Sequence, residues 1–85
     1  MIKIKSLVPQ AKYVSEISDG SFFIYLEDPN VKLEDLYISY VSFKVNDNKI
    51  FCLTPNDIIE ESSNCYTDSQ IFYEVEIESI NIKLV

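Results

Sequence analysis

The sequence predicts a mainly β protein: a small antiparallel barrel, or a strongly bent sheet, of six or seven strands with one short helix at about residues 55–62. Apolar and polar residues alternate with a period close to two along most of the chain. Short groups of turn-forming residues separate the alternating stretches. The chain has 85 residues, the length of one domain, so we treat residues 1–85 as a single acidic unit.

The first half contains the strongest hairpin signal. A first strand of alternating isoleucine and lysine begins near the N-terminus and ends before Pro9. Asp19 and Gly20 then separate two alternating stretches, residues 11–18 and 21–27. Because Asp-Gly readily adopts the turn that joins two antiparallel strands, we expect these stretches to pair with each other.

A second hairpin is predicted in the middle of the chain. The long strand 36–45 leads into a turn at Asp47 and Asn48. A two-residue turn there places Phe43 opposite Cys52, so that apolar side chains meet across the two strands. A three-residue turn would shift the pairing by one residue and match the side chains less well.

The predicted short helix follows this hairpin. Thr54 can cap it, Pro55 suits its first position and Asp57 lies where the acid of a capping box would lie. These three residues predict a helix over residues 55–62.

The last part of the chain contains two further β segments, residues 70–78 and 80–85. The apolar residues change from odd to even positions at Glu78 and Ser79. Either a tight hairpin or a β-bulge in one continuous strand produces such a change, and the sequence does not separate the two.

The charge is acidic and unevenly placed. The formal net charge is −7 and the isoelectric point is about 4.3, which argues against direct binding to nucleic acids or anionic membranes, since both require basic patches. Residues 1–49 hold six lysines and seven acids, whereas residues 50–82 hold seven acids and no base. These seven acids are the predicted protein-interface residues: Asp57, Glu60, Glu61, Asp68, Glu74, Glu76 and Glu78. The expected partner is therefore a protein with a basic surface.

Glu74, Glu76 and Glu78 are expected to point to one face of a strand. Successive carboxylates would then lie about 6.6 Å apart, a distance of the same order as the phosphate spacing of a nucleic-acid strand. Such a row could occupy sites built for phosphates, as a DNA mimic does. The other interpretation is an ordinary solvated face, paired with the lysines of neighbouring strands, Lys3, Lys5 and Lys83.

Composition gives no indication of catalytic chemistry. The chain lacks histidine, arginine and tryptophan, so it lacks the usual general base, the bidentate phosphate clamp and the commonest metal ligand. We expect no enzyme, no cofactor and no metal site. Cys52 and Cys65 are too few for a disulfide framework and are expected to be reduced thiols, although a bond between them stays open. No long apolar run or signal peptide is present, which predicts a cytoplasmic protein without membrane contact.

No family motif is present. In size and charge the chain is similar to small acidic inhibitors, among them DNA-mimicking phage or viral proteins and the immunity proteins of nuclease toxins. We therefore expect a non-enzymatic protein-binding module that inhibits or antagonises a basic, nucleic-acid-handling protein. The alternative is a structural or assembly subunit, or a homo-oligomer. Exposed edge strands and three tyrosines would serve that role: Tyr37, Tyr40 and Tyr66.

Overall fold

The structure, a computed structural model, describes residues 2–26, 30, 32, 41–54, 57–62 and 71–80. Six antiparallel strands in these ranges form one sheet: β1 Ile2–Leu7, β2 Phe22–Tyr25, β3 Val41–Asn46, β4 Lys49–Leu53, β5 Ile58–Ser62 and β6 Phe72–Ile80. They lie in the order β1-β6-β2-β3-β4-β5. The predicted mainly β fold is confirmed. As far as it is described, the sheet is open, with β1 and β5 at its edges, and is not a barrel.

The strand nearest the C-terminus, β6, lies between the first two strands of the chain. Leu7 of β1 is opposite Val75 on one side of β6, and Ile24 of β2 is opposite Tyr73 on the other. Since both neighbours are antiparallel to β6, β1 and β2 run parallel to each other. Residues 8–21 must therefore cross over β6 to connect them, and we call this segment the crossover.

The crossover covers one face of the sheet. Lys12 and Phe72 exchange two backbone hydrogen bonds of 2.9 and 2.8 Å, which fix the start of the segment beside β6. A single 3₁₀ turn follows at Val14–Glu16. A first core forms beneath it from side chains of the crossover and the sheet: Val14, Ile17, Phe23, Ile50 and Phe72.

Residues of β1, β2, β3 and β6 form a second core. Its four buried members are Ile2, Ile24, Val41 and Val75. Partly buried apolar side chains pack against them: Ile4, Leu7, Phe22, Leu26, Leu53 and Ile77. The sheet thus contributes to two clusters, which explains why apolar residues are so frequent in its central strands.

Lys44 is buried beneath the crossover, with its side chain 3% exposed. Its Nζ donates hydrogen bonds to the backbone oxygens of Val14, at 3.0 Å, and Ile17, at 2.7 Å. Nζ also lies 3.2 Å from the Oδ1 atom of Asp47. A buried ammonium group is tolerated when its donors have partners, and here these partners join β3 to the crossover.

The first predicted hairpin is wrong in its first strand. The turn at Asp19 and Gly20 does form, with a hydrogen bond from the Ser21 N–H to the Ser18 oxygen and a Gly20 φ of +82°. Residues 11–18, however, form no strand against β2, because β2 pairs with β3 and β6 instead. Tertiary pairing with a distant strand has overridden the local hairpin signal.

The second predicted hairpin forms, with a shifted register. Val45 is an extra residue between the Lys44 and Asn46 pairs, which places Phe43 opposite Phe51 rather than Cys52. This bulge gives the pairing that was expected for the three-residue turn. It also sets Lys44 opposite Ile50, a member of the core beneath the crossover.

The predicted helix at residues 55–62 is wrong. Residues 58–62 form strand β5, which pairs with β4 along its full length. The N–H and the hydroxyl of Thr54 both donate to the Asp57 oxygen, at 2.9 and 3.2 Å, and so close the connection between β4 and β5. Thr, Pro, Asn and Asp favour turns as strongly as helix starts, so these residues could not distinguish the two.

Strand β6 distinguishes between the hairpin and the β-bulge predicted at Glu78 and Ser79. Strand β6 runs through both residues without a turn, and Glu78 is the extra residue where the register against β1 shifts. The bulge is therefore confirmed and the hairpin is wrong. The predicted segment 80–85 lies outside the described residues beyond Ile80, as does the first half of the predicted strand 36–45.

Replacing Lys44 with Met should destabilise the fold by about 1–3 kcal/mol, because the buried Ile17 oxygen loses the Lys44 donor and the Val14 oxygen keeps only the 3.3 Å bond from the Ile17 N–H. Lys49→Met is the matched control: Lys49 is paired with Glu60 at the surface, and its loss should cost less than about 1 kcal/mol. Urea unfolding measures both free energies. Equal stability of the two variants would show that Lys44 does not hold the crossover.

Candidate functional site

Glu74, Glu76 and Glu78 form what we call the glutamate ladder, and each of its members has a lysine partner. The ion pairs, given as the distance from Nζ to the nearest carboxylate oxygen, are Lys12–Glu74 at 3.1 Å, Lys5–Glu76 at 3.6 Å and Lys3–Glu78 at 3.5 Å. Three carboxylates against three lysines leave the ladder with no formal net charge. Two of the lysines expected beside it, Lys3 and Lys5, are found there, whereas Lys83 lies outside the described residues. The third partner is Lys12, and its pair with Glu74 is largely buried rather than solvated.

Two of the three pairs are exposed and contribute little to stability. In both Lys3–Glu78 and Lys5–Glu76 more than half of each side chain is accessible. Exposed ion pairs are worth about 0–1 kcal/mol each. Glu76 also accepts a hydrogen bond from the Ser6 hydroxyl at 3.1 Å. The main effect of the two exposed ion pairs is electrostatic, because the lysine beside each carboxylate weakens the field that a basic partner would meet.

Glu74 holds the crossover in place. Its side chain is 17% exposed, and its Oε1 atom accepts hydrogen bonds from the Lys12 ammonium at 3.1 Å and from the Ser18 N–H at 3.2 Å. Both donors belong to the crossover. Glu74 on β6 and Lys44 on β3 thus fasten the same segment by opposite charges.

A shallow groove of about 410 Å³ runs beside the ladder. Residues of β1, the crossover, β2 and β6 line it: Ser6, Val8, Gly20, Ser21, Phe22, Glu74, Val75, Glu76 and Ile77. Its two carboxylates, Glu74 and Glu76, are those already bound to Lys12 and Lys5. The groove therefore presents neither a free charge nor a pair of carboxylates suited to proton transfer.

Asp57, Glu60 and Glu61, which we call the β5 acids, lie on an edge strand and its preceding residue rather than on a helix. Glu60 is 3.6 Å from the Nζ of Lys49, and the Asp57 Oδ1 accepts the N–H of Ile58 at 2.8 Å. Three carboxylates and one lysine give this group a formal net charge of −2. The formal net charge of the ladder, counted in the same way, is zero.

The sequence analysis missed two residues between these acids. Ile58 is 45% exposed and Ile59 is 44% exposed, so both present apolar surface to solvent. On the predicted helix such residues would have faced the core. Two adjacent β-branched residues favour a strand over a helix, and this was the signal that could have placed them on β5.

The remaining predicted interface residue, Asp68, lies outside the described residues, as do Tyr37, Tyr40 and Tyr66. Among the side chains that are described, no three potential ligands cluster as a metal site would require. The described part of the chain also contains no helix with the length and apolar character needed to cross a bilayer.

Cys52 is a free, buried thiol on β4, so it forms no disulfide with Cys65. Burial raises the pKa of this thiol, and the negative charge of the nearby Glu61 carboxylate raises it further. A thiol with a raised pKa is a weak nucleophile at neutral pH, which makes Cys52 a packing residue of the sheet.

Comparison with known proteins gives no match to any protein-family model, to any curated protein or to any solved structure. The functional argument therefore depends on the site itself.

Glu74→Gln should destabilise the protein by about 1–2 kcal/mol, because a partly buried charge that holds two donors is lost. The matched variant Glu78→Gln removes a carboxylate from an exposed pair and should cost no more than about 0.5 kcal/mol. Thermal or urea unfolding measures the difference. A Glu78→Gln variant that is the less stable of the two would contradict the structural role of Glu74.

The alkylation rate of Cys52, measured in a Cys65→Ser variant, should reflect the raised pKa of the Cys52 thiol. The folded protein should react with iodoacetamide more slowly at pH 8 than the urea-unfolded chain does, with its pH profile displaced to higher pH. Glu61→Gln should reverse part of this displacement, since burial is the larger cause.

The same shift has a consequence for stability. The folded state holds the Cys52 proton more tightly than the unfolded chain does, and this difference stabilises the folded state. The stabilisation is complete below the unfolded pKa of about 8.5 and is lost as the pH rises through the folded pKa. A folded thiol that titrates at or below the pH of the unfolded one would contradict this assignment.

Proposed function

We propose that this protein is a non-enzymatic binding domain whose acidic surface engages a protein partner with a basic surface. The observation that carries the proposal is the composition of the β5 edge. There, the β5 acids, whose formal net charge is −2 with Lys49 counted, flank two exposed isoleucines, Ile58 and Ile59. Apolar anchors surrounded by charge are typical of surfaces that bind proteins.

The two components of this surface have different roles in binding. The β5 acids would steer a basic partner toward the domain and raise the association rate, an effect that salt screens. Ile58 and Ile59 would supply the desolvated contact that slows dissociation. The ladder is a weaker candidate, since its three carboxylates are balanced by three lysines and Glu74 is needed to hold the crossover.

The partner class that we favour is a cytoplasmic, nucleic-acid-handling protein, which the domain would inhibit. Such proteins carry basic surfaces for phosphates, and a chain of net charge −7 is complementary to them. Carboxylates bound at a phosphate site would exclude the nucleic acid by competition.

The double variant Glu60→Gln/Glu61→Gln should weaken binding of the partner about tenfold at low salt, because two steering charges are lost. The matched control is Glu76→Gln/Glu78→Gln, which removes the same number of charges from the neutralised ladder and should change the affinity by less than about threefold. The partner is first captured from the native host by a tagged pull-down with stepwise salt elution. Its dissociation constant is then measured by calorimetry at several salt concentrations.

Three results would count against the proposal. One is an affinity that the β5 variant leaves unchanged while the protein stays folded. Another is a larger loss from the ladder variant than from the β5 variant. The third is stable self-association that salt does not alter, which would support the assembly role instead.

A further inference from the structure

The turn at Asp19 and Gly20 joins two residues that can undergo a chemical change without an enzyme. The backbone nitrogen of the second residue attacks Cγ of the aspartate, a C–N bond forms, and the carboxyl OH leaves as water with the amide proton. The product is a five-membered succinimide ring. Glycine favours this step because no side chain shields its nitrogen and its backbone is the least restricted. Both residues are exposed in the fold.

Hydrolysis of the succinimide ring has two possible products. Water that adds to the side-chain carbonyl carbon breaks the new C–N bond and returns aspartate. Water that adds to the main-chain carbonyl carbon breaks the original peptide bond and gives isoaspartate, whose backbone runs through Cβ and Cγ and is one atom longer. The water lost in the first step is regained in the second, so no other reactant is needed.

In the folded chain the nitrogen of Gly20 is engaged in a short hydrogen bond. Its N–H donates to the Lys44 oxygen at 2.6 Å, and the Lys44 N–H donates to the Ser21 oxygen at 3.0 Å. The nitrogen has to lose its proton to form the ring, and a proton held by a carbonyl oxygen becomes available only when the bond opens. The pairing with Lys44 therefore opposes isomerisation.

Contacts of the crossover also hold the residues before this turn. The Ser18 N–H donates to the Oε1 atom of Glu74 at 3.2 Å, and the Ile17 oxygen accepts from the Lys44 ammonium at 2.7 Å. Lys44 thus fastens the segment twice, through its side chain before the turn and through its backbone at the turn. Release of the Gly20 amide is therefore coupled to release of the crossover.

We infer that Asp19 is a site of spontaneous isoaspartate formation, which the fold keeps closed through the Gly20–Lys44 hydrogen bond and exposes when the crossover opens. The extra backbone atom would lengthen the path from Ser18 to Gly20, so their bonds to Glu74 and Lys44 could not both return to their native lengths. Isomerisation would therefore make the opening of the crossover irreversible. This inference is independent of the proposed function, since it involves neither the β5 acids nor a partner.

The test follows isoaspartate at Asp19 in the full chain at neutral pH over several weeks, by peptide mapping with electron-transfer fragmentation. The folded wild-type protein should form it at least about tenfold more slowly than the same chain unfolded in guanidinium chloride, since hydrogen bonds of the crossover must open first. Asp19→Glu is the control for the assignment. It keeps the carboxylate but would have to close a six-membered ring, so the signal should disappear.

Two lysine variants test the coupling to the crossover. Lys44→Met removes the ammonium group but keeps the backbone oxygen that binds Gly20, and Lys49→Met is its matched control at the surface. The Lys44 variant should form isoaspartate at least about fivefold faster than the wild type, and its Gly20 amide should exchange faster as well. The Lys49 variant should leave both rates within about twofold of the wild type.

Three results would overturn the inference. One is isoaspartate formation that is equally fast, or undetectable, in the folded and the unfolded wild-type chain, a comparison that still decides if Lys44→Met fails to fold. Another is a folded Lys44→Met variant whose rate equals that of Lys49→Met. The third is a purified isoaspartate form whose Ser18 and Gly20 amides exchange as slowly as those of the unmodified protein, which would show that the crossover closes again.

Discussion

The buried ammonium group of Lys44 is the contact on which the arrangement of the sheet depends. It holds the backbone oxygens of Val14 and Ile17, and so fixes the crossover over the face where Phe72 of β6 is buried. Because β6 lies between β1 and β2, the crossover has to pass over β6 to connect them. Without a cation beneath the 3₁₀ turn, the Ile17 oxygen would lose its 2.7 Å donor, at a cost of about 1–3 kcal/mol, and the Val14 oxygen would keep only the 3.3 Å bond from the Ile17 N–H.

Ion pairs within the fold change how the acidic composition is interpreted. Glu74 holds the crossover from β6, and Glu60, Glu76 and Glu78 are matched by lysines, so four of the seven predicted interface acids form ion pairs within the fold. Net charge is therefore a poor guide to where a protein binds. The position of the charged groups is more informative, and here the β5 acids lie beside the exposed isoleucines of β5.

Period-two alternation was sufficient to predict the β class and the hairpin at Asp47 and Asn48, because both are local properties. The helix at 55–62 was wrong since its capping residues are equally good turn residues. The placement of β6, the bulge at Val45 and the burial of Lys44 could not be predicted, because each results from pairing between strands distant in sequence. The separation of the ladder from the β5 acids could not be predicted either, because it depends on which strands lie beside the lysines.

The central claim is that partners meet the β5 edge and not the ladder, and amide hydrogen exchange with and without the basic partner tests it most directly. In the free protein the amides of Ile59 and Glu61 should exchange slowly, because the Thr54–Asp57 hydrogen bond and the unshifted register of β5 pair them with β4. On binding, the amides of β5 should exchange more slowly still while the side chains of Glu76 and Glu78 keep their lysine pairs. A bound partner that leaves exchange at β5 unchanged and displaces those lysines would contradict the account.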